Sequence, residues 1–486
     1  MTDPHDTTVR EVRDFYGRRY RVGESDRLLL GRSRSWMAWT AWAAMLAISL
    51  FQYGFGAALP TLMTANGWSV WQAFAVLGLW VVAQAAGSPM GGWLYRRQRE
   101  RLAVPMLAGA ACCLTALVTL AHTGDPVAVL LGYSVVGGLG AGVVYMTCIA
   151  TVTEWFPERL ASRVAMVGAA FGYGAIPFVV VAGFVLDPSN RAAVLDGAAL
   201  VVFAVVAACG LLMRKPPRHW WPEQIDPQRW ALDRRLNRSI PNNRPAARPY
   251  PPRAAMRSGM LPMMFVVVVL TAAMALFDIA YLAGTAYTRG LASWTLVAAI
   301  VALAAANGIG RAVTSSLADR IGRRGTLGLS LLAGGVAQFG LLAAASNDNH
   351  PAALVCFAAL AGAGAGAGYS LLVSLVRDWF GDDATVSNYG IVYSGKAVGG
   401  VAGIVLAGLA VTNPDSVLPF LVAGCLGLLG AALTRWMRQP GPAWVSLPAP
   451  GLKEGTVAGL TEGTVAGLTE GTVTGLKEGT VARWDG

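Results

Sequence analysis

Twelve apolar stretches of about 18 residues or more dominate this 486-residue chain. They lie near 36–59, 69–93, 103–122, 127–153, 164–186, 193–213, 260–284, 293–316, 327–346, 352–376, 387–410 and 417–436. A helix rises about 1.5 Å per residue, so some 20 apolar residues cross a hydrocarbon layer roughly 30 Å thick. Only 13% of the residues are charged, about half the share in a water-soluble domain. Glycine, 58 in all, is abundant within the stretches, as expected where helices pack closely in lipid. The chain reads as an all-α membrane protein with twelve transmembrane helices.

The basic residues orient it. All but four of the 38 Lys and Arg fall in the two tails and in alternate connections. The four exceptions are Arg191, Arg289, Arg311 and Lys396. Basic loops stay on the cytoplasmic side, so we expect a multi-pass protein of the plasma membrane with both termini cytoplasmic. Topology and anionic lipid headgroups then account for the net charge of +11, and no nucleic-acid partner is needed. Residues 1–35 carry eight arginines and no short apolar core, so they read as a retained cytoplasmic tail rather than a signal peptide. The six cysteines all fall in apolar runs without metal-ligand spacing, so neither a metal nor another cofactor is expected.

The chain repeats itself at an offset of 224 residues. Span four carries Gly137, Gly138, Gly140, Gly142, Tyr145 and the Trp155, Phe156 pair, and span ten carries Gly362, Gly364, Gly366, Gly368, Tyr369 and Trp379, Phe380. The last three glycines of the first set, the tyrosine and the Trp-Phe pair are in register. The same offset aligns residues 91–99 (GGWLYRRQR) with 315–324 (SSLADRIGRR), placing Tyr95 where Asp319 stands. The expected architecture is two pseudo-symmetric six-helix bundles, 36–213 and 259–437. Residues 214–258, with eleven basic residues and a proline-rich end, read as the linker between them. Residues 438–486 form a tail whose part 451–482 runs through four octads of the type GLKEGTVA; it has too few apolar groups for a core and is read as disordered. Duplicated halves suit alternating access, with a site at the midplane between them.

Ionisable groups inside spans are costly and usually functional. Arg311 lies eight residues before Asp319 at the end of its span, roughly 12 Å deep, and Lys396 lies roughly 15 Å into span eleven. Two cations at one depth repel, and an anion between them removes both penalties. A guanidinium grips a carboxylate with a two-pronged fork and an ammonium adds a point charge. These residues therefore suggest a small organic anion, such as a dicarboxylate, held by Arg311 and Lys396. Two alternatives involve Asp278, eighteen residues into span seven: it pairs permanently with one cation, or it carries the proton of a proton-linked carrier. HExxH, GxSxG and Walker A motifs are absent from the sequence, so neither a membrane enzyme nor a nucleotide-driven pump is expected. A non-transporting sensor with a carrier fold is a further alternative.

Residues 315–324 resemble the signature loop of the major facilitator superfamily, G-x-L-x-D-R-x-G-R-R, with Ser315 for the first glycine. The resemblance implies the major facilitator fold, with Asp319, Arg320 and Arg323 as gating residues that latch the two bundles together. The flanks of the cations, residues 307–311 (NGIGR) and 388–400 (NYGIVYSGKAVGG), resemble spans eight and eleven of the oxalate/formate antiporter family. Residues 154–159 (EWFPER) and the Pro216, Pro217 pair fit as well, so the likeness covers roughly 36–436. It implies a carrier of mono- or dicarboxylates, by exchange or proton coupling, with Arg311 and Lys396 on the substrate. Gln52, Tyr53, Tyr145, Tyr173, Tyr369 and Tyr393 would line the pocket. The run of Gly and Ala before Tyr369, and Tyr rather than Trp at 393, imply a roomier cavity than oxalate needs. The expected partners are a small carboxylate and membrane lipids, and the carrier is expected to act as a monomer.

Overall fold

A computed structural model describes residues 9–240, 242–246, 248–345 and 351–441. Its twelve spans, numbered one to twelve in chain order, are Ser35–Asn66, Val70–Arg97, Ala103–His122, Pro126–Trp155, Pro157–Phe184, Arg191–Leu212, Met260–Arg289, Ser293–Ile321, Arg323–Ala345, Pro351–Phe380, Asp382–Thr412 and Leu418–Trp436. Several run past their apolar stretches, as span two does to Arg97. Charged ends stay helical where hydropathy has already fallen, because a helix needs internal hydrogen bonds more than apolar side chains. The octad segment 451–482 lies outside the described residues.

The repeated glycines are seams inside each half. A Cβ on Gly142 of span four would lie 2.2 Å from the carbonyl oxygen of Gln84 in span two. A Cβ on Gly366 of span ten would lie 2.2 Å from that of Asn307 in span eight. No side chain fits between these backbones, so both copies need glycine there.

The halves meet along spans two and eleven, five and eight, and one and seven. The offset relates span two to eight and five to eleven, so the first two contacts are symmetry equivalents. Two first-half spans break midway. Span one is helical over Ser35–Ile48, tightens at Ser49–Phe51 and resumes at Tyr53–Asn66, leaving Gln52 at the join. Span five stops at Tyr173 and resumes as Ile176–Phe184. Pro177 lacks the N–H for the carbonyl of Tyr173 and its ring clashes there, which forces the break.

Outside the spans, on the face where the basic connections gather, the N-terminal segment and the linker build one cap. Strands Arg10–Arg13 and Arg19–Val22 pair antiparallel, and Tyr20 and Val22 share a small core with Trp221 and Trp230 of the linker. The backbone N–H of Arg21 donates to His219 at 2.7 Å, and that of Trp221 donates to Arg21 at 3.0 Å. Residues 9–34 and 214–232 thus lean on each other instead of forming a separate tail and a plain spacer.

Candidate functional site

Arg311 and Lys396 are each 2% exposed and line one small void between the halves. Asn307, one helical turn before Arg311, accepts from its Nε at 3.2 Å and Nη2 at 3.0 Å. Arg311 Nη1 crosses to the first half and donates to the Gly168 carbonyl at 2.8 Å. Its guanidinium also lies over the Tyr369 ring, 5.5 Å from the centroid.

Lys396 Nζ crosses the same interface. It donates to Gln52 Oε1 at 2.7 Å and Gln84 Oε1 at 2.5 Å. Four rings surround it, with centroids at 5.8 Å (Trp80), 5.4 Å (Phe171), 6.0 Å (Tyr369) and 5.8 Å (Tyr393). Among the described residues, neither cation has a carboxylate within ion-pair distance. Neutral amides fill their hydrogen bonds and leave both charges uncompensated.

Gln52, Tyr53, Tyr145, Tyr369 and Tyr393 line the void beside the two cations, as do Phe171, Asn307 and Ala275. Tyr173 does not. It stands two residues after Phe171, which turns it about 200° around the helix, and its hydroxyl accepts from Trp42 Nε1 at 2.8 Å instead. Phe171, Gln84, Trp80 and Tyr389 also belong to the site, and sequence reasoning misses them. Gln84 carries a usable signal: it is an amide in an apolar run, one turn from Trp80.

The expected roominess is absent in this closed state. The void is about 10 Å³, room for roughly one water-sized sphere. The space released by Gly and Ala in span ten goes to the seam with span eight, where Gly362 and Gly366 meet the carbonyls of Leu303 and Asn307. Toward the basic face the void is shut by stacked tyrosines. The Tyr145 and Tyr393 rings lie 4.6 Å apart, the Tyr145 hydroxyl is 3.2 Å from that of Tyr389, and Tyr389 donates to the Tyr369 carbonyl at 3.0 Å.

Asp278 pairs with neither cation. It is fully buried, and its Oδ1 accepts from Gln338 Nε2 at 2.9 Å, inside the second half. The expected latch also differs. Gly322, at φ +84, makes the tight turn that favours glycine and presents Arg323 to Asp378 and to the Ser374 carbonyl, all within the second half. The carbonyls of Asp319 and Arg320 accept from Asn242 of the linker at 3.0 and 2.8 Å. Among the described residues, Arg377 ties this region to the first half, its Nη1 donating to the Pro157 carbonyl at 2.6 Å. In the first-half copy of the loop, Tyr95, which stands where Asp319 does, donates to Glu154, the counterpart of Asp378, at 2.9 Å.

A far larger cavity, about 800 Å³, lies under the cap and is lined by residues of the N-terminal segment, the linker and both halves. It holds neither Arg311 nor Lys396. We assign the site to the small void, because that is where buried charge lacks a counter-ion.

Comparison with known proteins matches the chain to the Major Facilitator Superfamily over residues 41–309 and 261–466. The oxalate:formate antiporter of Oxalobacter formigenes is 23% identical over 358 residues, 73% of this chain and 80% of the relative. An uncharacterized MFS-type transporter of Escherichia coli, YhjX, is 26% identical over 380 residues, 74% of this chain and 86% of the relative. Among solved structures, the human organic anion transporter MFSD10 superposes with a TM-score of 0.60 at 16% identity, covering 83% of this chain and 100% of that one. The E. coli xylose transporter XylE, in a partially occluded inward open conformation, gives 0.58 at 15%, covering 85% and 100%. These structures share the twelve-helix fold. The chain is a multi-pass membrane transporter, not an enzyme, and it belongs to the Major Facilitator Superfamily, with a resemblance to the oxalate/formate antiporters.

Proposed function

We propose that this protein carries a small mono- or dicarboxylate across the plasma membrane by alternating access, with its basic face and both termini in the cytoplasm. The observation that carries this reading is the pair of buried cations, Arg311 and Lys396, on one void without an acidic partner among the described residues. An amide oxygen satisfies a hydrogen bond but leaves the charge; a carboxylate oxygen satisfies both, and the bonds it forms are roughly twice as strong. The anion exchanges the Gln52, Gln84 and Gly168 contacts for its own oxygens as the tyrosine stack parts to admit it. The oxalate:formate antiporter, by its name an exchanger of two carboxylates, supports the same class of substrate.

The electrostatics make exchange faster than net uptake, without barring the latter. The empty void holds two uncompensated charges, so its passage across the membrane is costlier than that of the loaded carrier. Counterflow in proteoliposomes tests this reading, with oxalate, formate, acetate and succinate as labelled and unlabelled pairs. At least one should exchange far faster than in protein-free liposomes. If none does, the carboxylate reading fails.

A further inference from the structure

Asp278 and Gln338 leave a particular pattern of unmet hydrogen bonds. The amide nitrogen of Gln338 donates to Asp278 Oδ1 at 2.9 Å. Asp278 Oδ2 and Gln338 Oε1 are both buried and have no hydrogen-bond partner. Two orphaned acceptors on one already bonded pair are what a single absent proton leaves behind. Placed on Oδ2, that proton turns one orphaned acceptor into a donor, and Oε1 is the unpartnered acceptor on the residue already bonded to it. Each orphan in a buried setting costs about 1–3 kcal/mol, and an ionised carboxylate without a cation costs more.

The surroundings support a neutral acid. Span nine offers Gln338 at this level, and span twelve offers Phe420, packed on Phe277 and Tyr281 of span seven. From span one, Tyr53 comes within electrostatic range. Spans eight, ten and eleven bring Arg311, Tyr369 and Lys396 to the void, none of them bonded to Asp278. The site is also close to the moving interface. Ala275, one turn before Asp278, lines the void, and Ile279, the next residue, packs against Gly56 of span one.

We propose that Asp278 and Gln338 form a proton-binding site, occupied in this closed state, whose proton travels with the carried anion. Asp278 takes the proton from water on one side as its carboxylate, and gives it back to water on the other when spans one and seven part. The coupling rests on the carboxylate reading above; the proton site does not.

Infrared spectroscopy of the purified full chain tests the site directly. The wild type at neutral pH should show the carbonyl band of a protonated carboxylic acid that Asp278→Asn lacks. Asp278→Asn replaces the acid with an amide that can still pair with Gln338, so the variant should fold. If the two spectra have the same acid band intensity, the proton site is wrong, whatever the protein carries. Proteoliposomes then test the coupling. An inward proton gradient of one unit should raise wild-type carboxylate accumulation by up to about tenfold, and Asp278→Asn should lose that drive while keeping counterflow. Equal responses of wild type and variant to the gradient would overturn the coupling. Absence of counterflow in the wild type would instead refute the carboxylate reading, and the infrared comparison would still decide the proton site.

Discussion

Lys396 in span eleven donates to Gln84 in span two at 2.5 Å. The bond joins the two halves at the level of the void, and it joins a charge to a neutral group. The two halves are therefore joined at the void by contacts that a carboxylate can replace and improve upon.

Gln84→Leu should lower the thermal stability of the purified empty protein, by about 1–3 kcal/mol, the cost of leaving a buried polar group short of a partner. Saturating carboxylate should narrow the gap to wild type, because ligand oxygens supply the lost acceptor. Unfolding curves with and without ligand check both halves of this expectation.

Phe171 and Tyr173 should separate cleanly. Phe171→Ala removes a ring from the Lys396 ammonium, a contact worth about 0.5–2 kcal/mol, and should raise the KM for exchange. Tyr173→Phe removes only the bond from Trp42 and should leave KM unchanged while costing about 1 kcal/mol of stability. Counterflow kinetics on the two variants decide it.

The gate on the basic face should answer to Arg377 more than to Arg323. Arg377→Ala removes the bond to the Pro157 carbonyl that spans the halves. It should shift the population toward opening on that side by roughly fivefold to a hundredfold, for a bond worth about 1–3 kcal/mol. Labelling of cysteines introduced under the cap reads that population. Arg323→Ala breaks contacts within the second half and should mainly lower stability.

Much of this architecture is legible in the sequence, and the physical reasons differ by feature. The offset shows because Gly142 and Gly366 each occupy a seam where no Cβ fits, so the pattern cannot drift freely in either copy. Arg311 and Lys396 stand out because a charge in an apolar run is rare. Gln84, Phe171 and Tyr389 do not stand out. Their role depends on helix phase and on how the halves register, and the hydroxyl of Tyr173 draws the eye from Phe171 although the helix turns it away. The cap is hidden for a related reason. Arg21 meets His219 and Trp221 across nearly 200 residues of sequence, and no local pattern announces a pairing that distant. The partners of the latch are equally illegible, because a loop motif names its charges without saying which half receives them.

The seams give a folding test independent of transport. Gly366→Ala drives a methyl toward the Asn307 carbonyl at 2.2 Å and should cost about 1–3 kcal/mol or more, with poor recovery of folded protein. Gly197→Ala, with nothing within 4 Å of its Cβ position, should be neutral or slightly stabilising. Yield and thermal unfolding of the two purified variants provide the comparison.

Carboxylate counterflow by wild type, Arg311→Gln and Lys396→Gln, at matched amounts of folded, inserted protein, tests the central claim most directly. Each charge-assisted bond to the anion is worth about 1.5–3 kcal/mol, so each variant should fall at least roughly tenfold to a hundredfold below wild type. Wild-type exchange rates in both variants would show that Arg311 and Lys396 do not hold the anion.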